Sequence, residues 1–333
     1  MASVRPVARP DPEALARAIA PACGPGSVTD LRRLSGGASR ETWSFDLVPS
    51  QGAARGFVLR RDPGEHVGES DRSTEYRLLE AAAASGVAVP RVCALLGLGD
   101  GLGRGFVMDR IEGETIPRRI LRDEAYANAR PRLAAQCGEI AARIHAIDPV
   151  SLPELPALDA TAQIRQYRAL LDGFGEPHPA FELGLRWLSE RVPAPPARPG
   201  LVHGDYRNGN FIVGPEGIRA VLDWELAHLG DPIEDLGWLC VKSWRFGVAD
   251  RLVGGFGSIP DLLAAYERAG GRAVDEETLR FWVGLGTLKW GVICIGQAFT
   301  HLNGLVRSVE LATLGRRVAE TEWDLLQILD GGW

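Results

Sequence analysis

The character of the apolar pattern changes near Glu112-Gly113, from mostly strand-like to mostly helical, and that switch limits what the 333 residues can fold into. Upstream, apolar residues fall in short β-like runs: Val28–Leu34, Thr42–Val48, Gly56–Arg61, Val92–Leu98 and Gly105–Ile111. Runs of this length between turn signals read as strands. The first two are joined by Leu34-Ser35-Gly36-Gly37-Ala38-Ser39-Arg40, a hairpin signal. A short helix over 12–22 precedes them, and Asp71–Ser85 reads as another, with Ser70 or Asp71 as N-cap and Gly86 just past its end. Downstream the pattern is helical over Arg130–Ile147, over 160–191 with a turn-rich break at 173–179, and from Pro232 onward. The Pro-rich stretch 192–200 must be a loop, and two short apolar runs follow it, Phe211–Val213 and Ile218–Leu222. The pattern predicts an α+β chain of two lobes. A small β-rich lobe, mostly antiparallel, occupies 1–108, a connection 109–113, and a larger, mainly helical lobe 114–333. Apolar residues make up 45% of the chain, enough for two such lobes.

Charge and cysteine usage narrow the function classes. The formal net charge is −6, the wrong sign for a chain that works on nucleic acid. No stretch approaches eighteen uninterrupted apolar residues, so no membrane span is expected. Met1–Pro12 has no apolar core of a secretory signal. Cys23, Cys93, Cys137, Cys240 and Cys294 are scattered without C-x-x-C spacing, which fits a reducing cytoplasm. Lysine occurs only at Lys242 and Lys289. Any cation needed in the first 241 residues must therefore be Arg or His.

The chemistry concentrates in His203-Gly204-Asp205-Tyr206-Arg207-Asn208-Gly209-Asn210 and Val221-Leu222-Asp223-Trp224-Glu225. The first fits H-x-D-x-x-x-x-N, and the second places an Asp after an apolar run. Phosphoryl transfer needs a carboxylate to orient the attacking hydroxyl and take its proton, plus oxygen ligands for Mg²⁺. Asp205 suits the first task, Asn210 and Asp223 the second. Two short strands in a hairpin would bring the segments together.

These motifs, with Gly230-Asp231-Pro232-Ile233-Glu234-Asp235-Leu236, resemble the aminoglycoside phosphotransferase and choline kinase branch of the protein-kinase-like fold. The chain is most similar to the subgroup that includes the kinase-like domain fused to some acyl-CoA dehydrogenases. The resemblance runs from about Val28 to the C-terminus. It implies that Gly36, Gly37 and Ser39 lie on the hairpin covering the nucleotide phosphates. It also implies that 109–113 is a hinge, with the Asp109 carbonyl and Ile111 amide meeting the purine edge, and that Arg207 stabilises the transferring group. His203 and Asp235 would brace the loop.

Phe57-Val58-Leu59-Arg60-Arg61 occupies the strand that, by resemblance, presents a phosphate-binding cation. Alternation puts Val58 and Arg60 on one face, so Arg60 is the candidate and Arg61 the alternative. On the next helix Glu75 shares a face with Leu78, Leu79 and Ala82, and a carboxylate there calls for a partner. An ion pair with Arg60 would supply one. His145 reads as core or capping. Trp238, Trp244, Trp282 and Trp290 read chiefly as core, with some rings open to an acceptor pocket.

The resemblance implies a small-molecule O-phosphotransferase using ATP or GTP with Mg²⁺, acting on a hydroxyl of an aminoglycoside-like or other hydroxylated metabolite. A hydroxyacyl thioester is among the possible acceptors. No nucleic-acid or membrane partner is expected. A catalytically weak nucleotide-binding relative is the alternative, disfavoured because Asp205, Asn210 and Asp223 are all present. A metal hydrolase built on His203, Asp205, Asp223 and His228 lacks ligand spacing.

Overall fold

The computed structural model describes residues 9–34, 41–62 and 72–333. Gly36, Gly37 and Ser39, and the N-cap candidates Ser70 and Asp71, lie outside the described residues. The chain divides into two compact units. The first comprises Met1–Gly113, Ser151–Glu154 and Arg219–Glu225; the second comprises Glu114–Val150, Leu155–Ile218 and Leu226–Trp333.

The first unit begins with α1 (Pro12–Cys23), β1 (Gly26–Arg33), β2 (Glu41–Pro49), β3 (Arg55–Asp62), α2 (Arg72–Ala84), β4 (Val92–Leu96) and β5 (Arg104–Asp109). Pro12 opens α1, and the Asp11 carboxylate accepts the Glu13 and Ala14 amides at 3.2 and 3.3 Å. The strands form one antiparallel sheet in the order β1-β2-β3-β5-β4. Leu15 and Ile19 of α1 pack with Trp43, Phe45, Phe57, Leu59 and Val107. Strand alternation then sends Val58 and Arg60 of β3 to the other face. There α2 buries Glu75, Leu78, Leu79 and Ala82, the face expected of it, and Tyr76 meets Phe106 edge-on. The sheet thus carries a helix on both faces. β4 ends two residues earlier than the apolar run suggests, because Leu98–Asp100 turns into a short 3₁₀ helix.

The second unit contains α3 (Pro117–Arg122), α4 (Arg130–His145), α5 (Ala160–Phe174), α6 (Pro179–Glu190), β6 (Gly200–Val202) and β7 (Phe211–Gly214). Within β8 (Gly217–Val221) the chain leaves it for the first unit. There the Val221 amide donates to the Ala88 carbonyl at 2.8 Å, and Arg219 Nη1 to the Glu112 carbonyl at 2.7 Å. It returns with β9 (His228–Gly230), α7 (Ile233–Cys240), α8 (Ile259–Arg268), α9 (Glu276–Leu302), α10 (Val309–Leu314) and α11 (Val318–Leu329). α3, β6 and β9 carry no readable period, being three to six residues long. β6 pairs antiparallel with β9, Leu201 opposite Leu229.

α4 and α8 approach closely at Gly138, where a Cβ would lie 2.3 Å from the Leu262 carbonyl oxygen. α9 touches α5, α6, α7, α10 and α11. Contrary to the expectation from uninterrupted runs, α9 is long and apolar enough to match a membrane span. Its most apolar stretch is 78% buried inside the fold, as in the central helix of a helical core.

Candidate active site

In the helical unit the segment between β6 and β7 turns sharply at Gly204. Its φ is +81°, and a Cβ would meet the Leu226 carbonyl oxygen at 2.3 Å, so only glycine fits between His203 and Asp205. The Asp235 carboxylate, from the first turn of α7, accepts the His203 amide at 2.7 Å and the Gly204 amide at 3.0 Å. His145 Nε2 lies 3.1 Å from Asp235, and His145 Nδ1 lies 3.0 Å from the Tyr266 hydroxyl. Burial pushes the Asp235 carboxyl up, but the bond and charge of His145 and the His203 contacts hold it below its usual range. A buried carboxylate at the end of a helix-to-helix relay thus fixes the loop backbone.

The Asp205 side chain is then held by three donors. Trp238 Nε1 and Arg207 Nε reach Oδ1 at 2.7 and 2.8 Å, and Asn210 Nδ2 reaches Oδ2 at 2.6 Å. An ionised carboxylate has about four acceptor directions, so roughly one remains for an incoming hydroxyl. With its amide nitrogen turned to Asp205, Asn210 has its Oδ1 as the group available to a hard cation. The Arg207 guanidinium lies 4.4 Å from the centroid of the Trp244 ring, which meets Trp238 edge-on and Trp290 at a tilt. From behind, buried Lys289 donates to the Gly204 carbonyl at 3.0 Å and lies 4.6 Å from the Trp238 ring. Lys289 also faces Glu234 at 3.6 Å, and Glu234 accepts from Gln163 and lies 3.1 Å from His228 Nε2. Burial lowers the His228 pKa, but Glu234 prevails and raises it. Burial likewise opposes Glu234, yet the charge of His228 holds its carboxyl low.

In the β-rich unit the expected ion pair is present: Arg60 Nη1 lies 2.6 Å from Glu75. Arg60 Nη2 also bonds Asp223 Oδ1 at 2.9 Å. Burial acts to lower the Arg60 pKa, but Glu75 and Asp223 together raise it. Asp223 sits at φ +68°, a left-handed backbone that a non-glycine residue adopts at a cost. The other Glu75 oxygen bonds Arg72 Nη1 at 2.7 Å, and Arg72 forks onto both Asp62 oxygens at 3.0 and 2.9 Å. Arg61 points to the opposite face. It is buried, bonds Glu41 at 3.0 and 2.9 Å, and donates to the Leu102 carbonyl. In this arrangement its guanidinium is engaged by Glu41 and Leu102. Asp109 closes β5 with its side chain near Arg55, and Ile111 follows beyond the strand.

Several partners escaped the sequence reading. Trp238 is core, as expected, but its indole nitrogen also holds Asp205. Arg72, three residues before Glu75, was detectable by helical spacing. Arg207 holds Asp205, and Lys289 reaches the loop from seventy-nine residues beyond it, a contact no local pattern signals. Among the described residues no cluster of three or more His, Cys, Asp or Glu side chains is placed to hold a metal. Asn210 Oδ1, in the helical unit, and the Asp223 carboxylate, in the first unit, are each hard oxygen donors of the kind Mg²⁺ takes.

Residues 30–282 match the profile described as the phosphotransferase enzyme family. Mouse acyl-CoA dehydrogenase family member 10 is 30% identical over 232 residues, covering 64% of this chain and 20% of that protein. The chain thus spans about a fifth of that relative's length. A structure from Ralstonia eutropha JMP134, assigned as an aminoglycoside phosphotransferase, superposes with a TM-score of 0.75. It is 24% identical and covers 95% of this chain and 98% of its own. A thermostable mutant of the aminoglycoside phosphotransferase APH(4)-Ia, in complex with AMP-PNP and hygromycin B, superposes with a TM-score of 0.64. It is 18% identical and covers 96% of this chain and 98% of its own. At these identities the two structures establish the protein-kinase-like fold.

Proposed function

The chain belongs to the phosphotransferase enzyme family, and from that premise we propose that it is a small-molecule kinase. It moves the γ-phosphate of ATP or GTP to a hydroxyl of a small acceptor, with Mg²⁺ as the required cation. The observation that carries the proposal is Asp205, a carboxylate fixed by Trp238, Arg207 and Asn210 with room for about one more donor. A carboxylate used only as a structural ion pair has no need of an acceptor direction left open. The AMP-PNP bound to the APH(4)-Ia relative supports a nucleoside triphosphate as donor.

In this reading the acceptor hydroxyl donates to Asp205, which takes its proton as the oxygen attacks the γ-phosphorus. The bond to the β–γ bridging oxygen breaks opposite, and the nucleoside diphosphate departs. Trp238 and Asn210 keep the carboxylate from rotating, which preserves alignment in the transition state. Arg60, oriented by Glu75, binds the α- and β-phosphates. Arginine's planar fork keeps its charge when buried, so it can replace lysine there. Arg207 adds positive charge near the transferring group. Asn210 and Asp223 are the residues that would hold Mg²⁺, which would supply neutralisation of the phosphate charge. The family resemblance assigns the phosphate-covering role to Gly36, Gly37 and Ser39, which lie outside the described residues, and the purine contacts to the Asp109 carbonyl and Ile111 amide. A reducing cytoplasm is the proposed setting. Its support is five free cysteines, with burial pushing the Cys93, Cys240 and Cys294 thiols up to about 12.

A phosphoryl-transfer screen tests the proposal. Protein, Mg²⁺ and ATP or GTP are incubated with hydroxylated metabolites and antibiotics, and nucleoside diphosphate release is followed. Acceptor-dependent release supports the kinase. Mg²⁺-dependent nucleotide binding without turnover on any acceptor would favour a nucleotide-binding protein instead.

A further inference from the structure

The helical unit contains a cavity of about 780 Å³, walled by Lys242, Ser243 and the segment Arg245–Ala249, by α3 and by α11 with the residue before it. Small-molecule sites span roughly 300–1,000 Å³. The turn Lys242–Arg245 also carries Trp244, on whose ring the Arg207 guanidinium rests while its Nε holds Asp205. One short turn therefore walls the cavity and supports the base.

The lining is strongly cationic. Arg118, Arg122, Lys242, Arg245 and Arg317 face only two carboxylates, Glu320 and Asp324, a net of three positive charges. Lys242 pairs with Asp324 at 2.6 Å, and Arg317 with Glu320 at 3.2 Å. Both acids are thereby matched, and Arg118, Arg122 and Arg245 are left over. Among the described residues the side chains of Arg118 and Arg122, both exposed on α3, make no hydrogen bond or ion pair. Arg245 is 2% exposed; among the described residues its guanidinium donates to the Cys240 carbonyl, at 3.3 and 2.9 Å, and the carboxylate whose charge reaches it is Asp324, which is already paired with Lys242. A buried guanidinium with no carboxylate in hydrogen-bond contact, sharing one acid with a lysine, is costly unless an anion joins it. Phe246, at the cavity wall, is held at φ +47°, the kind of strain that gathers at ligand sites. A polycationic antibiotic would meet three uncompensated positive charges here.

We propose that this cavity is the acceptor site, and that the acceptor is a hydroxylated anion whose phosphate or carboxylate group is bound by Arg118, Arg122 and Arg245. The anion's hydroxyl is the group presented to Asp205, so its fate rests on the phosphotransferase reading above. The binding of the anion does not.

Calorimetric titration tests it, on full-length protein with AMP-PNP and Mg²⁺ present so that anions cannot occupy a nucleotide site. Glycerol 3-phosphate and glycerate are the phosphate and carboxylate probes; glycerol and hygromycin B are the neutral and cationic controls. The expected result is binding of one or both anions, weaker at high salt, and binding of neither control. Which anion binds identifies the acidic group. The double variant Arg118→Ala/Arg122→Ala should weaken anion binding about tenfold or more, with AMP-PNP affinity unchanged. Absence of anion binding, tighter binding of a control, or anion binding that the double variant leaves intact overturns the proposal. Turnover separates the two readings. Anion binding with acceptor-independent nucleotide hydrolysis condemns the kinase alone. Phosphorylation of neutral or cationic alcohols without anion binding condemns the anionic acceptor alone.

Discussion

At the scale of single residues, the Arg60 cluster gives the sharpest expectations. Arg60 and Glu75 are in contact, so their effects on kcat/KM should be non-additive, with a coupling of about 0.5–3 kcal/mol in a double-mutant cycle. Independent effects would mean that Glu75 serves Arg72 alone. The opposite-face control has to change with the structure. Arg61→Ala leaves Glu41 buried beside Trp43, with Arg33 as a distant partner at 3.8 Å, and should cost about 3–5 kcal/mol of stability. Its signature is a lowered melting temperature with nucleotide affinity retained, whereas Arg60→Ala should weaken nucleotide binding. The reverse pattern would transfer the phosphate role to Arg61. Asp223→Ala should abolish the Mg²⁺ dependence of nucleotide binding, because Asn210 alone supplies no charge to the cation. A nucleotide titration with and without Mg²⁺ reads this directly, and an unchanged dependence would place the metal elsewhere. Arg60 and Glu75 were legible in the sequence because each is anomalous locally: an arginine where a lysine is customary, a carboxylate on an apolar helical face. Trp238 was not, since a buried indole announces packing and conceals the bond its nitrogen makes.

At the scale of elements, the loop after β6 is held by α7 and α9 through charged groups that titrate. Asp235 and Glu234 have folded pKa values below their unfolded ones, about 3.9 and 4.3. Their contribution to stability is present above those values and is lost as pH falls through the lower, folded ones. His228 has the opposite sign. Its folded pKa lies above the unfolded value of about 6.5, so its contribution is complete below that pH and is lost as pH rises through the folded pKa. Melting temperature should therefore be highest in a mildly acidic window and fall on both sides. His228→Gln should flatten the alkaline limb while leaving the acid limb. An alkaline limb identical in the variant would assign it to other groups. Long elements such as α4, α5 and α6 were legible from period alone. β6 and β9 were not, because three residues carry no period and their pairing is made across the chain.

At the scale of the whole molecule, the change in apolar pattern near Glu112-Gly113 was enough to separate a mostly β part from a mostly helical one. It could not show that Arg219–Glu225, embedded in the helical half of the sequence, packs with the first unit, because that choice is made by tertiary contacts such as Val221 to Ala88. Nor could it show the cationic cavity, whose lining comes from α3, the turn after α7 and α11, each unremarkable alone. The central claim is that this molecule transfers a phosphoryl group with Asp205 as the base. The most direct measurement is single-turnover transfer from γ-labelled nucleotide to an acceptor identified by the screen, comparing wild type with Asp205→Asn at matched nucleotide occupancy. The account predicts nucleotide affinity nearly intact and a transfer rate lower by roughly 10²–10⁴, the range for a positioned acid–base group. Transfer at more than half the wild-type rate in Asp205→Asn would contradict it.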